Sequence, residues 1–228
     1  ANQFYEDQIE RIARFAEDEA NTRTQIDMTV RIGGGIEAPQ ATAAHWHIAP
    51  PVSFIARDVD EQDIPWVAFT NDEAEQIEYE VVDNPLSAEE RANLEPREMD
   101  CLDCHNRATH DFRNPERWVN ADMASGRIDS DLPYVKREAM ELLEARYETQ
   151  EAGLAAMEAL VQFYQSEYPS VYAQREGAIR EAVASLQEIY EHTTFPSMNL
   201  RWDYYPDHLG HTDFPGCFRC HDGKHVNA

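Results

Sequence analysis

Cys101-Leu102-Asp103-Cys104-His105 and Cys217-Phe218-Arg219-Cys220-His221 decide the reading of this chain. Each is a C-x-x-C-H run, the attachment signal for c-type haem. The chemistry explains the spacing. Two thiols add across the two haem vinyl groups as thioethers, and the two-residue gap lets one turn of backbone span the edge of the macrocycle. The adjacent His then turns its imidazole onto the iron as the proximal ligand. All 4 cysteines of the chain fall in these two runs. Paired C-x-x-C can also hold zinc or form a redox dithiol, but neither use requires His directly after the second Cys. The expectation is therefore two covalently attached haem c groups. Cys101, Cys104, Cys217 and Cys220 bind them, and His105 and His221 ligate iron. Haem attachment takes place outside the bacterial cytoplasmic membrane, so the protein is expected in the periplasm or outside the cell. With every Cys a thioether, no disulfide is expected despite the oxidising compartment.

Composition narrows the class further. The 228 residues hold 44 Asp and Glu against 19 Lys and Arg, a net charge of −25. Phosphates demand Lys and Arg, so neither nucleic acid nor an anionic membrane is expected as partner. No apolar run approaches the roughly 20 residues of a membrane span. The 4 Trp, 10 Tyr and 9 Phe are too many for a solvated tail. Two readings of the charge stand: a docking surface for a basic redox partner, or a densely hydrated surface suited to salt. The start, Ala1-Asn2-Gln3-Phe4, has no basic n-region and no apolar h-region. It reads as a mature terminus after cleavage or as a piece of a longer chain.

Around the motifs, residues 5–21 read as an acidic amphipathic helix with Ile9, Ile12, Phe15 and Ala16 on one face. Residues 26–32 alternate as a strand that Gly33-Gly34-Gly35 would end. Further strands are expected at 52–57, 65–69 and 76–82. From residue 86 the pattern turns helical. Asn114-Pro115 opens a helix to about Ser125, as an N-cap followed by an N1 proline. A second helical stretch starts at Asp131-Leu132-Pro133 and runs toward Tyr168, with a break near Thr149. A third starts at Pro169 and runs to about Glu191, with a stripe of Ile179, Val183, Leu186, Ile189 and Tyr190. Residues 193–216 read as an extended wrap. The expected fold is mainly α with a small β-rich N-terminal portion. Residues 1–85 carry the β portion, and residues 86–228 form a helical dihaem-binding portion with a hairpin or bundle between the two motifs.

The sixth iron ligands stay open at this stage. His110 follows His105 by five residues and His225 follows His221 by four. Neither reaches easily around its own haem, which suggests an exchange, with His110 on the second iron and His225 on the first. His211 competes, and His47 in the run His45-Trp46-His47 comes next. His192 and His208 read as surface or capping residues, and Met198 as packing. Lys136, His208 and Arg219 would be acid or charge-stabilising groups if one iron were open.

Several stretches together resemble multihaem cytochromes of the NapC/NirT type. They are Met99 to His110, Leu132-Pro133-Tyr134-Val135-Lys136, His45-Trp46-His47 and Gly216 to His225. That resemblance implies electron transfer from quinol toward periplasmic or extracellular acceptors, through a membrane anchor and further haems. This sequence departs from it in having no anchor and no third motif, which implies a piece of a multihaem chain or a shortened dihaem relative. The leading function is electron transfer between redox partners, themselves cytochromes, through close-packed bis-His haems, with self-association or a larger multihaem complex as further possibilities. The alternatives are a haem enzyme with an open iron acting on a small nitrogen or sulfur species, and a haem-based sensor module.

Overall fold

The computed structural model describes residues 8–32, 43–48, 50–107, 112–211 and 213–227. The triple glycine and His110, both singled out from sequence, lie outside them.

Two compact units interleave along the chain. The first takes in 29–110 and 205–228, the second 10–28 and 111–204. The chain opens with strands β1 (Gln8–Phe15) and β2 (Arg23–Val30), which pair as a hairpin. A 3-10 turn (Ala44–Ile48) leads into β3 (Val52–Ile55), β4 (Trp66–Thr70) and β5 (Gln76–Val81). Helix α1 (Ala88–Asn93) and the two-residue β6 (Arg97–Glu98) follow. Five helices come next: α2 (Pro115–Ser125), α3 (Val135–Glu144), α4 (Gln150–Ala156), α5 (Ala159–Glu167) and α6 (Pro169–Thr193). Short strands β7 (Thr194–Phe195), β8 (Leu200–Arg201) and β9 (His225–Asn227) complete the order.

The expectation of a mainly α dihaem fold is overturned. The chain is a mixture of helix and strand, and both C-x-x-C-H runs belong to the unit built on an antiparallel five-stranded sheet of order β6-β3-β4-β5-β9. Two residues separate edge strand β6 from the first motif, and three separate the second motif from the opposite edge strand, β9. Strands of two and three residues carry no readable periodicity, so nothing local announces that they flank the motifs.

Register sorts the sheet's two faces. Val52 pairs with Phe69, Phe54 with Val67, and Val67 with Tyr79, which puts these five side chains on one face. Ile55, Trp66 and Ala68 lie on the other, covered by Leu86 and Leu94. A capping box holds the start of α1 there: the Ser87 hydroxyl accepts from Glu90 N while Glu90 accepts from Ser87 N. The face carrying Val52 and Phe54 is the one that reaches the motifs. Arg97 pairs with Phe54 in register, stacks its guanidinium over the Phe54 ring at 4.7 Å, and grips Asp103 of the first motif.

In the second unit, the Ile179, Val183, Leu186, Ile189 and Tyr190 stripe of α6 is buried against α2, α3, α4 and α5. Asn114 caps α2 by accepting from Glu116 N at 2.8 Å, and Thr149 caps α4. The helical stretch after Leu132 is broken into α3, α4 and α5. Gly153 is where α4 meets the Tyr190 ring, and a Cβ there would fall 2.2 Å from a ring carbon.

Within residues 5–21, the described part from Gln8 is a strand, not a helix. Its apolar residues satisfy either period over so short a span, and pairing with β2 decides between them. The turn carries the missed signal. Asp18 accepts from both the backbone and the hydroxyl of Thr22, and Asn21 sits at φ 47°. The Asn21 side chain then donates to the Leu132 and Ser130 carbonyls and accepts from Lys136 N, which ties the hairpin tip to the start of α3.

Candidate haem-binding site

Both C-x-x-C-H runs adopt the same local turn. His105 N donates to Cys101 O at 2.8 Å, and His221 N donates to Cys217 O at 3.0 Å. The reasons for the turn differ. In the first motif, Asp100 and Asp103 form a capping box around the 3-10 turn Cys101–Asp103. The buried Asp103 carboxylate also receives the Arg97 guanidinium, which Glu61 shares. In the second motif, Gly216 sits at φ 49° with its backbone against Gly210, where a Cβ would lie 1.9 Å from the Gly210 carbonyl oxygen. That close approach lets Cys217 N donate to Gly210 O at 2.7 Å.

The two motifs are joined through their intervening residues. Arg219 donates to Asp103 O and Glu61 O, both at 2.9 Å, and to Gly216 O at 3.0 Å. His208 is buried beside them. Its Nδ1 meets Asp103 O at 3.1 Å, its Nε2 meets Asp60 O at 3.2 Å, and its backbone donates to Asn106 Oδ1. It is a buried bracket between loops rather than a surface residue. Arg219, considered from sequence as a charge-stabilising group, serves as a strut here.

The four cysteines form no disulfide. Cys101 and Cys217 are exposed, and Cys104 and Cys220 half-buried. Burial pushes the Cys220 thiol up to about 11 and raises Cys104 as well. Among the described residues, no group of three or more His, Cys, Asp or Glu side chains converges as a metal cage. The donor set instead fits covalent haem: two exposed thiols, two thiols behind them, and an imidazole at the end of each turn. Leu102 and Phe218, which follow the first Cys of each motif, are exposed apolar side chains of the kind a macrocycle would cover.

The imidazoles near the motifs are arranged in pairs. His47 Nε2 lies 3.3 Å from His221 Nε2, with ring centroids 5.5 Å apart. The His45 ring lies 6.5 Å from that of His105. Of the distal candidates read from sequence, His225 directs Nδ1 to Asp222 Oδ1 at 2.9 Å and Nε2 to Ile64 O at 2.8 Å. The His211 ring packs on Phe218 at 4.4 Å. His192, in the helical unit, has Nδ1 at 2.7 Å from Glu188 O. Burial, then nearby His47 and His225, holds the His221 imidazole below its ordinary value.

Over 226 residues, 99% of the chain, the sequence is 43% identical to "Cytochrome c-type protein ImcH" of Geobacter sulfurreducens. This chain is similar to a c-type cytochrome. It spans about half, 45%, of that cytochrome's length. No protein family model matches the chain, and no solved structure matches it. The similarity to a cytochrome c-type protein agrees with the two C-x-x-C-H runs and does not single out the NapC/NirT type. Among the described residues, no helix is long and apolar enough to cross a membrane.

Proposed function

We propose that this chain is an exported electron-transfer protein, or the electron-transfer part of one, holding two covalently attached haem c groups on its sheet unit. The observation that carries the reading is the pair of C-x-x-C-H turns. They have the same backbone geometry, exposed leading thiols and a shared strut, Arg219, on a chain similar to a c-type cytochrome. Bound haem iron supplies one-electron oxidation and reduction. The chain's own residues do the rest. Cys101 and Cys104 attach one group, and Cys217 and Cys220 the other. His105 and His221 ligate the irons from the proximal side. Asp103, Arg97 and Arg219 hold the two turns at a fixed spacing.

Partners of this chain are other redox proteins, with cytochromes the natural class. The narrower kinship to NapC/NirT-type cytochromes is supported by the motif residues at 99–110 and 216–225. With a net charge of −25, docking to a basic partner weakens as salt is added. An association rate insensitive to salt would instead assign the charge to hydration.

The test is the intact mass of the chain expressed with a haem-attachment system. Two haem additions are expected, with one lost in the double variant Cys101→Ser, Cys104→Ser and the other lost in Cys217→Ser, Cys220→Ser. A protein that carries no haem, or that instead binds one zinc through its thiols, would sink the reading.

A further inference from the structure

We infer that the single 3-10 turn Ala44–Ile48 supplies the distal ligand to both irons, His45 opposite His105 and His47 opposite His221. The inference rests on the two-haem reading above and adds what that reading leaves open.

His47 carries the argument furthest. Its Nδ1 lies 2.9 Å from the Ala44 carbonyl, so Nδ1 is the donor and holds the proton. The lone pair is then on Nε2, the atom 3.3 Å from His221 Nε2. A backbone carbonyl that fixes the tautomer is the usual outer support of a metal-ligating imidazole. Two metal–nitrogen bonds of about 2 Å each place facing nitrogens about 4 Å apart. The turn therefore needs to withdraw by less than ~1 Å.

His45 cannot share that iron. Residues two apart on a 3-10 helix, at 3.0 residues per turn, point about 120° apart around the axis. His45 is turned instead toward His105, with the rings tilted by 42°. The turn itself is anchored. Ala44 N and His45 N donate to Arg31 O and Ile32 O, and the Trp46 ring packs edge-on against Phe69 at 5.1 Å. The run His45-Trp46-His47 thus reads as ligand, anchor, ligand.

Among the described residues, the competing imidazoles have other neighbours; His110 lies outside those residues. The ring nitrogens of His225 lie against Asp222 Oδ1 and Ile64 O, and those of His208 against Asp103 O, Asp60 O and the Gln62 amide nitrogen. The His211 ring is tilted against Phe218 at 4.4 Å, and His192 Nδ1 lies 2.7 Å from Glu188 O. Because one five-residue turn serves both irons, a movement of that turn alters both ligations together.

The test uses the full chain with haem attached and compares His45→Gly, His47→Gly and the double variant. Haem number by mass should stay at two in all three. Each single variant should lose half of the low-spin signal in electron paramagnetic resonance and bind carbon monoxide at one haem when reduced. The double variant should lose all of it. Added imidazole should restore the low-spin signal, which a misfolded variant would not allow. His211→Ala and His225→Ala should leave the spectra unchanged. Low-spin spectra intact in both single variants would overturn the inference while leaving the two-haem reading standing. So would a double variant that loses only half of the signal. A wild-type chain without covalent haem would overturn both.

Discussion

Arg219, inside the second C-x-x-C-H turn, donates from Nη2 to the backbone carbonyl of Asp103, inside the first, at 2.9 Å. The intervening positions of such a motif are free in principle, since thiol and imidazole chemistry asks nothing of them. Here they are used to lock one motif against the other. Arg219→Ala removes this bond together with those to Glu61 O and Gly216 O. Charge-assisted bonds of this kind lead us to expect a loss of about 2–3 kcal/mol of stability, with both haems retained. Thermal melting followed at the Soret band measures it. An unchanged melting temperature would mean that Arg219 is a bystander.

Gly216 separates the two motifs experimentally. At φ 49°, with a Cβ that would sit 1.9 Å from Gly210 O, Gly216→Ala has no room and the wrong backbone. Strain of this kind costs at least ~2 kcal/mol. We expect haem incorporation to fall at the second motif and persist at the first, as read by peptide mass after digestion. Equal loss at both motifs would contradict a local role.

Glu90 provides an acid-side test of the lid over the sheet. The Arg57 side-chain hydrogen bond, Nε to Oε1 at 2.6 Å, followed by the Ser87 backbone N–H, holds Glu90 down to about 2 from its ordinary 4.5. A depressed carboxylate stabilises fully above about pH 4.5, and that contribution is lost as pH falls toward 2. Glu90→Gln should therefore be less stable than wild type at pH 7, and the two stability curves should converge near pH 2. A gap independent of pH would assign the effect to packing.

Lys136 behaves in the opposite direction. It is fully buried in the helical unit, with Nζ 3.5 Å from Glu116 Oε1 and no hydrogen bond among the described residues. Burial lowers its pKa below the ordinary 10.5. The unfolded chain then binds the extra proton, so this residue's effect on stability improves as pH rises toward 10.5. Lys136→Met ends the burial cost and leaves the partly exposed Glu116 without its ion-pair partner, so it should be near neutral at pH 7 and lose ground to wild type as pH rises. Urea unfolding at pH 7 and pH 10 checks both. Marked destabilisation at pH 7 would mean that the Glu116 ion pair outweighs the cost of burial.

Much of this protein is legible in local chemistry. The two C-x-x-C-H runs are read directly, because thioether and imidazole geometry demands that spacing. Strands β3, β4 and β5 follow from alternation and turn residues. The start of α2 at Asn114-Pro115, the Thr149 break and the α6 stripe follow from capping and period. These features depend on residues a few positions apart, which is the range over which sequence pattern has physical meaning.

The rest depends on contacts between distant residues. The strand at Gln8–Phe15 exists because β2 pairs with it. The motifs lie with a sheet because β6 and β9, too short to signal themselves, close its edges. The facing of His47 and His221 is separated by 174 residues of chain. No spacing rule reaches that far, so the sequence left His110, His225, His211 and His47 all open as distal candidates. The sequence alone marked the Cys and His of the two C-x-x-C-H runs as the candidates for haem attachment and ligation. Only the tertiary structure decided which imidazoles meet, because that meeting is set by strand pairing and by the packing of Trp46 on Phe69.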